Sequence, residues 1–417
     1  MYRKLILDNG VRVVTERMPT LKSVAVGVWV NIGSRDEQPS QTGYSHFIEH
    51  MLFKGTRKRS SAEISREIDA LGGEMNAFTS RETTTYYVKV LDQQLERGLE
   101  LLSDLFHHSR FAPKDIEKEK QVVLEEIRMV QDDPEDLVQE LHMGQMLGRH
   151  PLGRSILGRQ KTIREVRRQD LLNYVETYYG PEQTVVSIAG NFEQAKLDSL
   201  VARHFGKGRP ERASQSKGRR PPDVRGGVLL KKKQLEQVHV CLGIKGVAAG
   251  HRDRYALYAL NNVLGGSVSS RLFQEVREKR GLVYSIYSFL SGYSDVGMIT
   301  VYAATRPKEV NRVVDLVCEE IRQIGTKGVE RRELERAKVQ MKGSLMLSLE
   351  SSHSRMNKLA KDELTHGRHV SLEDMLAQID HVNEEQAFNV GRQFFKLDSL
   401  AITGLGPLAP RSLDAYK

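Results

Sequence analysis

The two halves of this chain echo one another, and that repeat constrains the fold more than any other feature. Residues 85–95, a strand leading into a helix, are echoed by residues 299–310. The acidic helix of residues 115–128 is echoed by residues 333–345, and residues 47–56 have a fainter echo in 258–267, at offsets drifting from 211 to 218. A length of 417 residues is too much for one ordinary core and suggests two domains of about 200 residues each. Two copies of one α+β fold are therefore expected, each a mostly antiparallel sheet with helices packed on one face.

Charge marks the boundary. Net charge is +9, and ten basic residues against two acidic ones (Glu211, Asp223) between Lys207 and Lys233 supply nearly all of it. Pro210, Pro221, Pro222 and several glycines share that segment, which reads as a solvated linker. The expected division is residues 1–208, a basic linker at 209–225, and residues 226–417. No aromatic residue is interleaved with these charges, which argues against a single-strand nucleic-acid platform, so no specific nucleic-acid partner is expected.

Local patterns place the elements. Residues 5–14 read as strand, Asn-Gly turn and strand, and Ser23 to Asn31 as a strand through the first sheet. A helix is expected from about Gly43 to Lys54, and Ser60-Ser-Ala-Glu63 is a capping box opening another that stops at Gly72-Gly73. Residues 74–80 and 83–90 read as paired strands, and 92–107, 113–131 and 135–147 as helices. No apolar run approaches the ~20 residues needed to span a bilayer, and no signal peptide is evident, so a cytoplasmic protein with no membrane partner is expected. The two cysteines, Cys241 and Cys318, read as buried free thiols.

Residues 46–50 read His-Phe-Ile-Glu-His. On a helix His46 and His50 lie at i and i+4, so both imidazoles leave one face and can grip a single ion. Zinc suits imidazole donors, and a catalytic zinc site keeps one position open for water. Glu49 leans over the same face, near enough to take a proton from that water. A third ligand is expected on the acidic helix. There Glu119 and Glu126 are two turns apart and share a face, while Glu125 is rotated by about 100° from Glu126; Glu126 is the expected ligand. The repeat acts as an internal control: His46, Glu49 and His50 map to Leu257, Leu260 and Asn261, and Glu119 and Glu126 to Ala337 and Ser344, so all five groups vanish together. Glu119 reads either as a carboxylate orienting a ligand histidine through its free ring nitrogen or as a surface group pairing with lysine.

The run Gly43 to Thr56, followed by Leu71 to Arg81, resembles the inverzincin metallopeptidases of the pitrilysin family (M16), which includes insulin-degrading enzyme and the mitochondrial processing peptidase. In that family the third ligand is a glutamate about seventy-five residues beyond the second histidine, and here 75 residues separate His50 from Glu126. The likeness extends over nearly the whole chain and is nearest the single-chain bacterial relatives of the processing peptidase β subunit.

The resemblance implies a zinc-dependent endopeptidase with one Zn²⁺ per chain held by His46, His50 and Glu126. Glu49 would be the general base, and the two domains would face each other as a clamshell. It implies that Arg277 and Tyr284, from the metal-free half, hold the substrate carbonyl and help stabilise the oxyanion. On local chemistry alone Arg280 competes with Arg277, and Tyr284 or Tyr287 could each be a core tyrosine. It implies an edge strand at residues 75–80, with Asn76, Ala77 and Phe78, on which an extended peptide is laid by backbone hydrogen bonds. A homodimer is implied as well. The competing classes are a non-catalytic scaffold, or a subunit of a processing peptidase that needs a partner; scaffolds of this kind typically lose the metal motif, which this chain keeps entire.

Overall fold

The computed structural model describes residues 2–207, 218–409 and 412–416. Residues 208–217 of the basic segment, and with them part of the expected 209–225 linker, lie outside the described residues. The chain forms two compact units that are not contiguous in sequence. One is Met1–Arg128, Arg154–Gly218 and Leu347–His369; the other is Met129–Gly153, Arg219–Met346 and Val370–Lys417. The linear division at 208 and 226 is therefore amended. Residues 129–153 belong with the second unit and residues 347–369 with the first.

Packing explains the exchange. The first unit holds a six-stranded sheet built from β1 (Tyr2–Ile6), β2 (Arg12–Arg17), β3 (Ser23–Val30), β4 (Glu74–Thr79), β5 (Thr84–Leu91) and β6 (Thr184–Gly190). Its order is β1-β2-β6-β3-β5-β4. Only the β2–β6 pair is parallel among the described pairings. One face, with Val24, Val26, Val28, Val186 and Ile188, packs on the local helices, as expected. The opposite face is apolar too: Val14, Ala25, Trp29, Val185 and Ala189 pack on Met356, Leu359 and Ala360 of helix Ser352–His366. So the central strands β3 and β6 are covered on both sides and read as nearly continuous apolar runs. At Gly27 the covering helix comes so close that an added Cβ would collide with Met356 and stand 2.8 Å from Trp29 Nε1.

The second unit repeats this plan. β7 (Gly227–Lys232), β8 (Val238–Gly246), β9 (Val283–Gly292), β10 (Gly297–Thr305) and β11 (Ala401–Gly406) run in the order β7-β11-β8-β10-β9. This is the order of the first sheet without β1, again with its first pair parallel. One face packs on Leu137, Val138, Met143 and Met146 of helix Pro134–Leu147, whose counterpart in the repeat is helix Ser352–His366. Both cysteines are buried and free. Among the described residues no helix is long and apolar enough to cross a membrane.

The elements near the site follow the local signals. Ser60 caps helix Ser61–Ala70 in a reciprocal box with Glu63. Strands β4 and β5 are joined by a tight turn in which Ser80 N–H donates to the Thr83 carbonyl at 2.8 Å. Helix Pro113–Asp132 buries Ile116, Val123, Leu124 and Ile127 and turns the face carrying Glu119 and Glu126 to the site.

Candidate metal centre

Helix Tyr44–Leu52 carries the His-Phe-Ile-Glu-His run. It buries Phe47, Ile48, Met51 and Leu52 at no more than 2 % exposure, which turns His46, Glu49 and His50 to the other side. Its start is fixed unusually. Gly43 is the N-cap, with φ of +92°, and supplies no capping side chain. Instead the buried Glu37 carboxyl accepts the N–H of Gly43 and of Ser45, both at 2.8 Å. A Cβ on Gly43 would stand 2.6 Å from the Leu157 carbonyl and 2.9 Å from Gly158 Cα, so only glycine fits there.

His46 Nε2 and His50 Nε2 stand 3.2 Å apart, and Glu126 Oε2 lies 3.6 Å from the first and 3.5 Å from the second. Donors held about 2.0–2.1 Å from a tetrahedral zinc are separated by roughly 3.3–3.4 Å, so this triangle has the right size. Its chemistry fits as well. Glu126 Oε2 is buried with no hydrogen-bond donor. His50 Nδ1 faces Glu119 Oε1 at 2.7 Å, which leaves its Nε2 lone pair for a cation. Burial, with the neighbouring His50 charge, pushes the His46 pKa down to about 3, keeping that imidazole neutral as a ligand must be. Burial also works against charge on His50, but the Glu119 hydrogen bond and the Glu126 and Glu119 carboxylates outweigh it and raise its pKa. These are the only three described residues of ligating type that converge in this way.

Four neighbours complete the site, and the sequence points to one of them, Glu119. Glu119 is bridged by His50 on one oxygen and by the Lys54 ammonium, 2.8 Å away, on the other. Burial favours its neutral form, but these two partners prevail and hold its pKa below the usual range. Lys54 was legible, because it lies four residues beyond His50 on the same face. Glu37 lies in a loop whose sequence carries no helical period, and Thr79, which donates its hydroxyl to Glu49 Oε2 at 2.5 Å, comes from a strand thirty residues away. Burial raises the Glu49 pKa and the Thr79 bond moderates that rise. Glu125 points elsewhere, to Arg128 at 2.6 Å.

Strand β4 alternates. Met75 and Ala77 pack on the core that includes the site helix, and Thr79 shares their side. Phe78 lies on the other face, edge-on to Trp29, and the exposed Asn76 accepts the Ala77 N–H at 2.8 Å. The pleat thus separates Asn76 and Phe78 from Glu49, so any role for those two positions runs through the backbone.

Residues 12–160 match the family model described as insulinase (peptidase family M16), and residues 165–341 match that of the peptidase M16 inactive domain. The chain belongs to peptidase family M16. A Bacillus subtilis protein described as an uncharacterized zinc protease is 44% identical over 398 residues, covering 95% of this chain and 97% of its own. A Mycobacterium tuberculosis H37Rv protein with the same description is 41% identical over 399 residues, covering 94% and 90%. The M16 fold recurs in a solved protease from Helicobacter pylori, with TM-score 0.89 and 24% identity over 98% of this chain and 99% of that one. It recurs also in a Pseudomonas fluorescens structure described as a peptidase M16 inactive domain, with TM-score 0.92 and 20% identity over 98% of each chain.

All the gathered groups of this M16 chain fall in the first family region. In the second unit, Leu257 and Leu260 of helix Arg254–Leu264 stand where the repeat has His46 and Glu49, and both are core residues, 2 % and 0 % exposed. Arg277 and Tyr284 lie in that unit. Residues Phe273–Glu278 form a wide π turn, a feature frequent at functional sites. The turn stacks the Arg277 guanidinium 4.7 Å from the Phe273 ring and 5.1 Å from the Tyr284 ring. Arg280 is tied instead to Glu275 at 2.6 Å, and Tyr287 donates to Glu135. Tyr284 is 79 % exposed, so its hydroxyl faces solvent.

Proposed function

We propose that this protein is a zinc-dependent endopeptidase acting on extended peptides or unfolded protein segments, with His46, His50 and Glu126 as the ligands of one zinc per chain. The observation that carries the reading is the triangle of three acceptor atoms at 3.2, 3.5 and 3.6 Å with the Glu49 carboxyl on the next turn-face of the same helix. Bound there, zinc supplies Lewis acidity, acidifying the attacking water and polarising the scissile carbonyl. Glu49 takes the proton from that water as it attacks and returns it to the leaving amine nitrogen. Its burial-raised pKa suits a group that must both accept and release a proton. Glu119 fixes the His50 ring through Nδ1, which keeps Nε2 aimed at the site.

The backbone of β4 would pair with the substrate, since only one of its edges is occupied, by β5, among the described pairings. Backbone pairing tolerates many side chains, so the proposed specificity is broad. Arg277 and Tyr284 are proposed to hold the substrate carbonyl and the developing oxyanion; Arg277 has only a loose pair with Glu278 at 3.8 Å where Arg280 is held by Glu275 at 2.6 Å, and Tyr284 is exposed where Tyr287 is bonded to Glu135, which supports that choice. Retention of every metal-site group in the first unit favours this reading over a non-catalytic scaffold. Metal analysis and a quenched-peptide assay on the wild type and Glu49→Gln provide the test. The variant is expected to keep zinc and to lose turnover; full cleavage by it would overturn the assigned base.

A further inference from the structure

We propose that Thr79 is a positioning residue for Glu49, and that through it the strand offered to the substrate sets the geometry of the general base. This rests on the functional reading above. Among the described residues the Thr79 hydroxyl is the only group that hydrogen-bonds to the Glu49 carboxyl, donating to Oε2 at 2.5 Å. A glutamate reaches its site through three rotatable bonds, and a carboxylate off target by about 1 Å can cost on the order of 100-fold in rate. One oxygen held by Thr79 leaves the other for the attacking water. Among the described residues the Thr79 hydroxyl has no other hydrogen-bond partner, so its proton is committed to Glu49.

Thr79 is itself held rigidly. It is the last residue of β4 and pairs in register with Thr84 of β5. The turn that follows is closed by Ser80, whose N–H and hydroxyl both meet the Thr83 carbonyl, at 2.8 and 3.0 Å, and Thr84 is anchored to the Ile32 carbonyl at 2.9 Å. β-Branching restricts the Thr79 side chain further. A peptide added to the edge of β4 would lie about 4.8 Å from that strand. Because Thr79 belongs to the same strand and points to the face of the site helix, the scissile bond and the base are referred to one rigid element.

The test compares Thr79→Val, which keeps the shape and removes the donor, with Thr79→Ser, which keeps the donor. Kinetics are read together with zinc affinity by chelator competition and with thermal melts. Thr79→Val is expected to lower kcat by about 10- to 100-fold, with KM, zinc affinity and melting temperature close to wild type, and Thr79→Ser to recover most of the rate. A Thr79→Val enzyme with wild-type kcat would overturn the inference. So would a Thr79→Ser enzyme as slow as Thr79→Val, because packing and not the hydroxyl would then be the cause. A wild type without zinc or turnover removes the functional reading itself, a failure distinct from either.

Discussion

Glu119 Oε1 lies 2.7 Å from Nδ1 of His50, while its second oxygen lies 2.8 Å from the Lys54 ammonium. One carboxylate thereby fixes the ring of a proposed ligand and is itself kept ionised by a lysine just beyond the C-terminal end of the same helix. Glu119→Gln should weaken zinc binding by about 10- to 100-fold without unfolding the protein. Lys54→Met should have a smaller effect in the same direction. Competition with a chromophoric chelator measures both, and unchanged affinity in Glu119→Gln would refute the orienting role.

Adjacent glutamates on helix Pro113–Asp132 provide a second contrast. Glu126→Ala removes one corner of the triangle and is expected to abolish stoichiometric zinc. Glu125→Ala only loses an exposed pair with Arg128 and should change stability by no more than about 0.5 kcal/mol, with metal content intact. Equal zinc content in the two purified variants would exclude Glu126 as a ligand.

Glu37 predicts a pH dependence of stability. Complete burial lifts its pKa from 4.5 to about 8, against the pull of the Ser45 and Gly43 N–H groups. A carboxyl with a folded-state pKa above its unfolded value contributes stability that is full below about pH 4.5 and is lost as pH rises through about 8. The wild-type melting temperature should therefore fall between pH 6 and 9 relative to Glu37→Gln, which cannot titrate there. Parallel curves for the two proteins over that range would contradict the assignment.

Helix Ser352–His366 approaches β3 at Gly27, where a methyl group would strike Met356 and crowd Trp29 Nε1. Gly27→Ala should cost about 1–3 kcal/mol by overpacking. In Met356→Ala the space is already open, so the double variant should be more stable than the sum of the single effects predicts. Urea titrations of all four proteins measure this, and strict additivity would show that the two residues do not share the space.

The proposed metal ligands were legible because helical geometry is local: a spacing of four puts His46 and His50 on one face, and a spacing of seven selects Glu126 over Glu125. Ser60 and Glu63 were readable as a cap for the same reason, and the echo between residues 85–95 and 299–310 pointed to two copies of one α+β fold. Tertiary structure decided which distant surfaces meet. Sequence periodicity reports that a strand such as Ser23–Val30 has apolar faces, but not that its second face is covered by a helix more than 300 residues away in the chain. Nor could it pair Thr79 with Glu49, or Glu37 with the start of the site helix. A hydroxyl or a carboxyl in a loop or strand shows no period by which its partner can be recognised, and the partner is settled only when the packed core brings the two within hydrogen-bonding reach.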